Sequence, residues 1–584
     1  MSNKQRVSRW SIAVRSLAAA GLLLGLTDCT MGGPPADAAA EPSPAMPTSA
    51  LGSYLAARHA QEEHDYAHAA QFMNRALMED PSNFDLMRRT FVLRVSEGRV
   101  ADAVPLAERV VDLDHNSGLA EIVLLLQEVK AGDFAAAARR ARALPNEGAQ
   151  RLASPLLTAW CEMGMQRPAP ALQALDALND IRGVQSLKDL HAALLADYAD
   201  RIGEAEDSYK KLIAEQTQLA WRTVELAGNF FERHQRVEEA RRLYERLAST
   251  DQGDDVVMPS LTRLDRGVVP GRIIASPRDG LAEALFDLAS ILDQRETLDA
   301  SLVYARLALD LRPDFPLAQM LIAGIEEEQR HTGDALALYR AIDPKSPVAW
   351  TARLRAATAL DQLNRTDEAV AEFKRMAAER PQDPEPLVQL GDTLRGRERY
   401  ADAVAAYDAA ISRVTKAEPR HWRLYYSRGV ALERSGQWPR AESDLKRALE
   451  LQPEQPLVLN YLGYSWIDKG QNLEPALKMI QRAVELRPND GYIVDSLGWA
   501  HYRLGEFTKA SEILEHAIEL LPEDPTINDH LGDAYWQAGR IAEARNQWRR
   551  ALLFKPEADE VKVIETKIDH GIAKLPAAGA TRGG

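Results

Sequence analysis

A repeat of 34 residues runs through residues 457–556 and constrains the fold of this chain more than any other feature. Each copy carries a Leu-Gly pair, a second glycine seven residues later, and an alanine that precedes a proline by five residues. One extra residue stands between Gly470 and Ala476. Together with Gly429 and Pro453 of the preceding copy, the small residues and prolines at these positions are Gly463, Ala483, Pro488, Gly498, Ala517, Pro522, Gly532, Ala551 and Pro556.

These residue types have physical reasons that together predict a pair of antiparallel helices in each copy. The glycine of the Leu-Gly pair, facing a small alanine, lets the first and second helices approach closely. The second glycine can adopt the left-handed conformation that ends the first helix. The proline cannot continue the second helix. One such pair cannot bury its apolar face alone, so neighbouring pairs must stack.

The pattern resembles the tetratricopeptide repeat (TPR) family, whose period is the same. The resemblance covers roughly residues 50–556 and is weakest at 118–185. It implies an all-α, TPR-type α-solenoid, a right-handed superhelix of antiparallel helix pairs. We count about fourteen pairs.

The chain divides by pattern into an array with one interruption. We predict an N-terminal array at 50–250, degenerate at 118–185, a central array at 282–417 and a well-formed C-terminal array at 418–556. Residues 557–576 are predicted as a capping helix and 577–584 as a disordered tail. Residues 251–281, rich in Gly, Pro and Asp, are predicted as a long loop, which in a compact array is either functional or disordered.

The N-terminus has the features of a secretion signal. Basic residues precede an apolar run of about eleven residues, from Ser16 to Leu26, which is too short to span a bilayer. Residues 26–29 then resemble the lipobox of bacterial lipoproteins, in which Cys29 is lipidated, although Asp28 stands where a small residue is usual. We therefore predict a signal peptide at 1–29, a disordered Pro/Ala-rich tether at 30–49, and a periplasm-facing outer-membrane lipoprotein. The alternative is a soluble periplasmic protein.

No motif for catalysis, a phosphate, a dinucleotide or a metal occurs in the sequence. The repeats use nearly the whole chain and leave no segment for a catalytic domain. The net charge of −15 argues against nucleic acid as a partner. We therefore expect no enzyme, no cofactor and no metal, and a membrane contact only through the lipid anchor.

In TPR proteins the second, fifth, ninth, twelfth and thirteenth positions of the first helix line the concave groove. The resemblance therefore implies a groove for a peptide or helix of another protein. Its polar and aromatic residues here are Arg423, Tyr426, Asn460, Tyr464, Asp468, Tyr492, Asp495, Trp499, Tyr502, Arg503, Asp529, Asp533 and Trp536. Rigid aromatic residues beside polar groups suit such recognition. The alternative is that some of these aromatic residues only pack against the neighbouring helix.

The basic clamp with which some TPR domains hold a C-terminal carboxylate needs Lys and Asn at groove positions, and only Asn460 fits it. The stretch from Leu459 to Phe507 also resembles envelope TPR proteins of proteobacteria, often lipoproteins, that have no defined enzymatic activity. This resemblance implies an interaction scaffold or adaptor. The alternative is a subunit of a polysaccharide synthesis or export assembly that holds glycan or a partner protein in the groove.

Overall fold

A computed structural model describes residues 49–575, with gaps at 115, 217–218 and 250–253. Thirty α-helices and three short 3-10 helices make up the secondary structure of these residues, and no strand occurs among them. The predicted all-α fold class is therefore confirmed. The signal peptide, most of the tether, Cys29 and the C-terminal tail lie outside the described residues. The chain forms two compact units, one up to Asn364 and one from Arg365 onward.

The first unit contains eighteen α-helices and two 3-10 helices, at Leu175–Asp180 and Arg295–Thr297. Its α-helices are α1 (Ala50–Glu62), α2 (Tyr66–Glu79), α3 (Phe84–Ser96), α4 (Val100–Leu113), α5 (Gly118–Lys130), α6 (Phe134–Arg142), α7 (Gln150–Gly164), α8 (Pro168–Ala174), α9 (Gln185–Tyr198), α10 (Ile202–Glu215), α11 (Trp221–Arg233), α12 (Val237–Ala248), α13 (Asp254–Asp265), α14 (Pro277–Ile291), α15 (Leu298–Leu311), α16 (Pro316–Glu328), α17 (Thr332–Ala341) and α18 (Ala349–Gln362).

The second unit contains twelve α-helices and a 3-10 helix at Pro419–His421. Its α-helices are α19 (Thr366–Glu379), α20 (Glu385–Gly396), α21 (Tyr400–Arg413), α22 (Trp422–Arg434), α23 (Trp438–Leu451), α24 (Pro456–Asp468), α25 (Leu473–Leu486), α26 (Gly491–Arg503), α27 (Phe507–Leu520), α28 (Pro525–Gln537), α29 (Ile541–Leu553) and α30 (Ala558–His570). The last lies within the segment predicted as a capping helix.

The consensus residues do what the sequence predicts. Gly470, Gly505 and Gly539 end their first helices with φ of +65°, +80° and +87°. A Cβ on Gly463 would lie 2.7 Å from Ile480 Cγ1 and 2.9 Å from the Ala476 carbonyl oxygen. The two helices of this pair therefore approach as closely as a residue without a side chain allows.

Equivalent close approaches recur along the second unit. A Cβ on Gly498 would overlap Leu514, and one on Gly532 would overlap the indole of Trp548. Helices α23, α25, α27 and α29 all end two or three residues before their prolines. The alanines at 483, 517 and 551 are fully buried.

The degenerate stretch at 118–185 continues the array. Helices α5 and α6 pack together, as do α7 and α8, and α8 gives way to a 3-10 helix at Leu175–Asp180. Its side chains are larger than the consensus requires: Trp160 is fully buried and Phe134 packs against Gly164. The motif is absent here while the helical pairing persists.

The prediction of a long loop over 251–281 is wrong for much of its length. Residues 254–265 form α13, which packs against α12, and α14 begins at Pro277. Val257 and Leu264 are buried, and Arg263 donates to Glu232 on α11 at 2.6 Å. Two buried apolar side chains and this ion pair thus stabilise a helix that the local composition disfavours. Among the residues of this stretch that the structure describes, only 266–276 are irregular.

Those irregular residues return the chain across the earlier helices. Asn229 on α11 donates to the Gly271 carbonyl at 2.8 Å, and Arg272 donates to the Tyr198 carbonyl at 3.2 Å. Helix α14 then packs against α7 and α9, and α15 packs against α3, α4 and α5. A Cβ on Gly280 would overlap the Trp160 ring, so α14 lies directly on α7. The first helices of several pairs in this unit are therefore covered by the chain itself.

Among the described helices none is long and apolar enough to cross a membrane.

Candidate functional site

Two helix faces correspond to the groove that the sequence predicts, and they differ in what covers them. We call the side formed by the first helices of successive pairs the A-face. In the first unit this face comprises α3, α5, α7, α9 and α11, and α14 and α15 lie on it. In the second unit it comprises α20, α22, α24, α26 and α28.

Buried polar contacts hold α14 on the first A-face. Trp160 Nε1 donates to His191 Nδ1 at 3.0 Å, so the proton of the imidazole lies on Nε2. His191 Nε2 in turn lies 3.1 Å from Asp287 Oδ2 on α14 and donates to it. His191 is fully buried. Burial raises the pKa of Asp287, and the hydrogen bond from His191 opposes that rise.

A buried ion pair makes a second connection to α14. Arg222 on α11 donates through Nε to Glu283 Oε1 at 2.7 Å, and a second guanidinium nitrogen contacts Oε2. Glu283 is completely buried, and Arg222 also reaches Glu225 at 2.6 Å. Two desolvated charges are stable only when each is fully partnered. This bidentate geometry therefore fixes the position of α14 on α11.

Helix α15 is held by contacts from earlier pairs. The Tyr66 hydroxyl donates to Asp299 Oδ1 at 2.7 Å, and Lys130 Nζ lies 2.5 Å from Asp310 Oδ2. Arg306 bridges the Ser96 carbonyl and Glu326. The first A-face thus has an intramolecular occupant, which leaves the second A-face as the candidate site.

The second A-face contains all thirteen residues that the sequence predicts for the groove, in three states of exposure. Arg423, Asp468, Tyr492 and Arg503 are exposed. Tyr426, Asn460, Tyr464, Trp499, Asp529 and Trp536 are partly buried, and Asp495, Tyr502 and Asp533 are buried. The predicted set therefore combines surface residues with residues that pack between helices.

Trp499 is the clearest packing residue. Its ring stacks on Tyr502, at 4.7 Å and 14°, and on His530 of the next first helix, at 4.2 Å and 20°. Two rings of the protein itself therefore cover part of the indole. Its Nε1 is buried and has no hydrogen-bond partner among the described residues.

Asp495 joins the same two helices electrostatically. His530 Nδ1 lies 3.0 Å from Asp495 Oδ1. Burial alone would lower the pKa of His530, but the carboxylates of Asp495, Asp529 and Asp533 together outweigh burial, so the pKa is raised. The pair therefore stabilises the stacking of α26 and α28.

The part of the face on α22 and α24 is more open. Asn460 Oδ1 is shielded from solvent without a hydrogen-bond partner in the described chain. Tyr464 lies one turn further on, and burial raises its pKa to about 12. Tyr426 contacts Tyr461 edge-on at 5.9 Å, and Arg503 pairs with Asp468 at 3.0 Å. These residues form a polar, phenol-rich strip.

The end of the face on α28 is covered by α30 and the residues that follow it, 571–575. Lys567 on α30 lies 2.7 Å from Asp529 and 2.9 Å from Asp533, and Trp548 Nε1 donates to Asp533 at 2.9 Å. Trp536 Nε1 donates to the Ile572 carbonyl at 2.8 Å. Asp529, Asp533 and Trp536 are therefore engaged within the chain.

Sequence reasoning missed two residues of this region. Gln537 stands at the thirteenth position of its helix, so the positional rule applied to Arg503 would also have found it. His530 lies at the sixth position, which the rule leaves out. The sequence signal for it is a histidine about one repeat after Asp495, where the two side chains can pair between adjacent first helices.

Comparison with known proteins finds the repeat in the part of the chain after residue 324. A family model described as "Tetratricopeptide repeat" matches residues 325–384, 388–456, 431–491 and 496–560. The TPR repeat-containing protein PA4667 of Pseudomonas aeruginosa is 28% identical over 197 residues, covering 33% of this chain and 32% of that protein. The tetratricopeptide repeat-containing protein trd-1 of Caenorhabditis elegans is 28% identical over 205 residues, covering 35% of this chain and 24% of that protein. The matched stretch thus spans about a third or less of these relatives.

Solved structures with similar architecture include the Cut9 and Hcn1 assembly of the APC/C, with a TM-score of 0.38 and 16% identity over 90% of this chain and 97% of that one. Yeast Tom70 gives a TM-score of 0.34 and 15% identity, covering 89% of this chain and 95% of that one.

Proposed function

We propose, from the premise that this chain carries tetratricopeptide repeats, that it is a non-enzymatic scaffold whose partner protein binds the A-face of the second unit. Such repeats bind peptides or other proteins. One observation supports this choice of face above the others. Helices α20 to α26 pack with near neighbours in sequence, whereas the A-face of the first unit holds α14 and α15.

The chemistry of the open strip supports a polypeptide ligand. Tyr426 and Tyr464 supply rigid rings with hydroxyl groups, and Asn460 supplies an acceptor that no described residue uses. A buried acceptor left unpaired costs free energy, which the Asn460 side chain would recover by turning toward an incoming N–H group. Exposed Arg423 and Tyr492 flank the strip and suit the polar rim of an interface.

The same geometry gives no support to a glycan ligand. Sugar rings bind to open aromatic faces, and the indole of Trp499 already stacks on Tyr502 and His530. We therefore retain the protein partner as the proposal.

Site-specific photocrosslinking tests the proposed face. A photoreactive phenylalanine analogue at Tyr464 should give a discrete crosslinked product in intact cells. The same analogue at Lys478, exposed on the second helix α25, serves as the matched control and should not. Replacing Asn460 by Ala in the Tyr464 variant should reduce the yield. Equal products at both positions would contradict the proposal.

The proposed location is a lipid-anchored, periplasm-facing position at the outer membrane. It rests on the basic residues, apolar run and lipobox-like residues that end at Cys29. Cys29→Ser should move the full chain from the membrane to the soluble fraction. Unchanged membrane association of this variant would rule out the anchor.

A further inference from the structure

The chain's last described residues form a strap across the end of α28. Helix α30 ends at His570, and residues 571–575 continue without regular secondary structure. Gly571 turns the chain with φ of +72°, and a Cβ there would overlap the Trp536 ring. The strap thereby reaches the two residues that end α28, Trp536 and Gln537.

Hydrogen bonds between these residues and the strap use its main chain. Trp536 Nε1 donates to the Ile572 carbonyl at 2.8 Å, and Gln537 Nε2 donates to the Ala573 carbonyl at 2.7 Å. The Leu575 N–H donates back to Gln537 Oε1 at 3.0 Å. One carboxamide thus bonds the carbonyl of one residue and the N–H two residues later. This is the pairing that an adjacent β-strand would make.

The side chains of the strap contribute an apolar contact and a charge. Ile572 packs on the core cluster that contains Trp536 and Trp548. Lys574 Nζ lies 5.8 Å from the centre of the Trp536 ring and donates to the Trp536 carbonyl oxygen at the end of α28. Ala573 and Leu575 make their bonds through the backbone alone.

We propose that the end of α28 is a binding site for an extended polypeptide main chain, and that the strap occupies it in cis as a displaceable ligand. The ligand it fits is an extended segment with an apolar residue, a small residue and a lysine in succession, as at 572–574. Gln537 belongs to a packed helix, whereas residues 573–575 are exposed and have no regular secondary structure, so the receptor is preformed and the ligand is held reversibly. This site differs from the strip on α22 and α24, and the proposal does not depend on what binds there.

The strength of the contact supports displacement. Each hydrogen bond contributes little net free energy because water competes for the same groups. The strap stays bound because its tether gives an effective concentration in the millimolar range. A partner segment that makes the same bonds, with further contacts of its own, would replace it.

Peptide binding in trans tests the proposal. The probe is a labelled peptide of residues 570–578, HGIAKLPAA, offered to the full chain and to a chain that ends at His570. The shortened chain should bind at least tenfold more tightly than the full chain. Gln537→Ala in the shortened chain, or N-methylation of the peptide at Leu575, should each weaken binding about tenfold. Thr526→Ala, on an exposed position of the same helix, is the matched control and should change nothing.

A folded shortened chain that does not bind the peptide would overturn the proposal. So would one that binds the N-methylated peptide as tightly as the unmodified peptide. A second measurement covers the case in which the shortened chain does not fold. In the full chain the strap should protect the Lys574–Leu575 bond from trypsin, and Gln537→Ala should accelerate cleavage there about tenfold while Thr526→Ala does not. Equal cleavage rates in all three full-length proteins would likewise overturn it.

Discussion

The residue that ends the first helix of a pair has a left-handed backbone in most copies, whatever its side chain. Glycine fills this position in the strong repeats, but Gln235 and Glu398 adopt φ of +59° there as well. A side chain in this conformation costs about 1–2 kcal/mol relative to the right-handed one. The fold therefore imposes the turn, and glycine only makes it easier.

This cost gives a paired prediction. Glu398→Gly should raise the free energy of unfolding by about 0.5–1 kcal/mol, since Glu398 is exposed and glycine removes the strain. Gly505→Ala should lower it by about 1 kcal/mol because it introduces that strain. Urea unfolding measures both. Changes of the same sign in the two variants would contradict the explanation.

A buried carboxyl group beside α30 predicts a pH dependence. Burial raises the pKa of Asp533 to about 6, and the nearby Asp529 carboxylate adds to the rise, while Lys567 opposes it. The folded state therefore keeps a proton that the unfolded state releases above its lower pKa. The stabilising contribution is present below about pH 4 and is lost as the pH rises through about 6.

Asp533→Asn tests this dependence, because the amide keeps an acceptor for Trp548 and cannot ionise. The wild-type unfolding free energy should fall relative to the variant, by about 1–3 kcal/mol, between pH 4 and pH 7. Chemical denaturation across this range is the measurement, with Asp468→Asn on the exposed surface as control. Parallel curves for wild type and Asp533→Asn would refute it.

At the scale of elements, α14 depends on its buried ion pair. Glu283→Ala leaves Arg222 buried without its bidentate partner, which should cost about 3–5 kcal/mol. Glu204→Ala removes a surface pair with Arg201 and should cost less than about 1 kcal/mol. Urea unfolding of the two variants makes the comparison. Equal losses would show that α14 is not held by this contact.

The position of α14 also shows what the repeat pattern can predict. The pattern relates residues about 34 apart, so it predicted the helix pairs and the close approach at Gly498. It carries no information on contacts such as Arg222 with Glu283, which join elements that are not neighbours in the array. Helix α13 was missed for a related reason: its few buried residues, Val257 and Leu264, are diluted by Gly, Pro and Asp nearby.

The candidate site was predictable to the extent that repeat positions determine it. The rule located the A-face, yet it could not separate Tyr464, on the open strip, from Trp499, which stacks on two other rings. That difference depends on His530 in the next repeat. The rule also gave no sign that Trp536 would be covered by residues 571–575.

At the scale of the molecule, the two units should unfold differently. Contacts in the first unit join residues far apart in sequence, as Tyr66 and Asp299 do over 233 positions. Those in the second, such as Arg503 with Asp468 over 35, join adjacent repeats. Arrays with only neighbour contacts unfold in parts, whereas long-range contacts couple repeats together.

Hydrogen exchange in moderate urea measures this difference. Amides of α3 to α15 should lose protection in one step, whereas those of α20 to α29 should lose it in several. Stepwise loss within α3 to α15 would contradict the coupling.

The location of α14 on the earlier helices has a consequence for folding after export, which on the proposed route delivers the chain from its N-terminus. When α12 has emerged up to Ala248, its unit still lacks the helices that cover its A-face, and α15 ends only at Leu311. Until residues 249–311 have followed, Arg222 and His191 lack their partners on α14. A chaperone that shields this face would act in that window and would have to leave before α14 arrives.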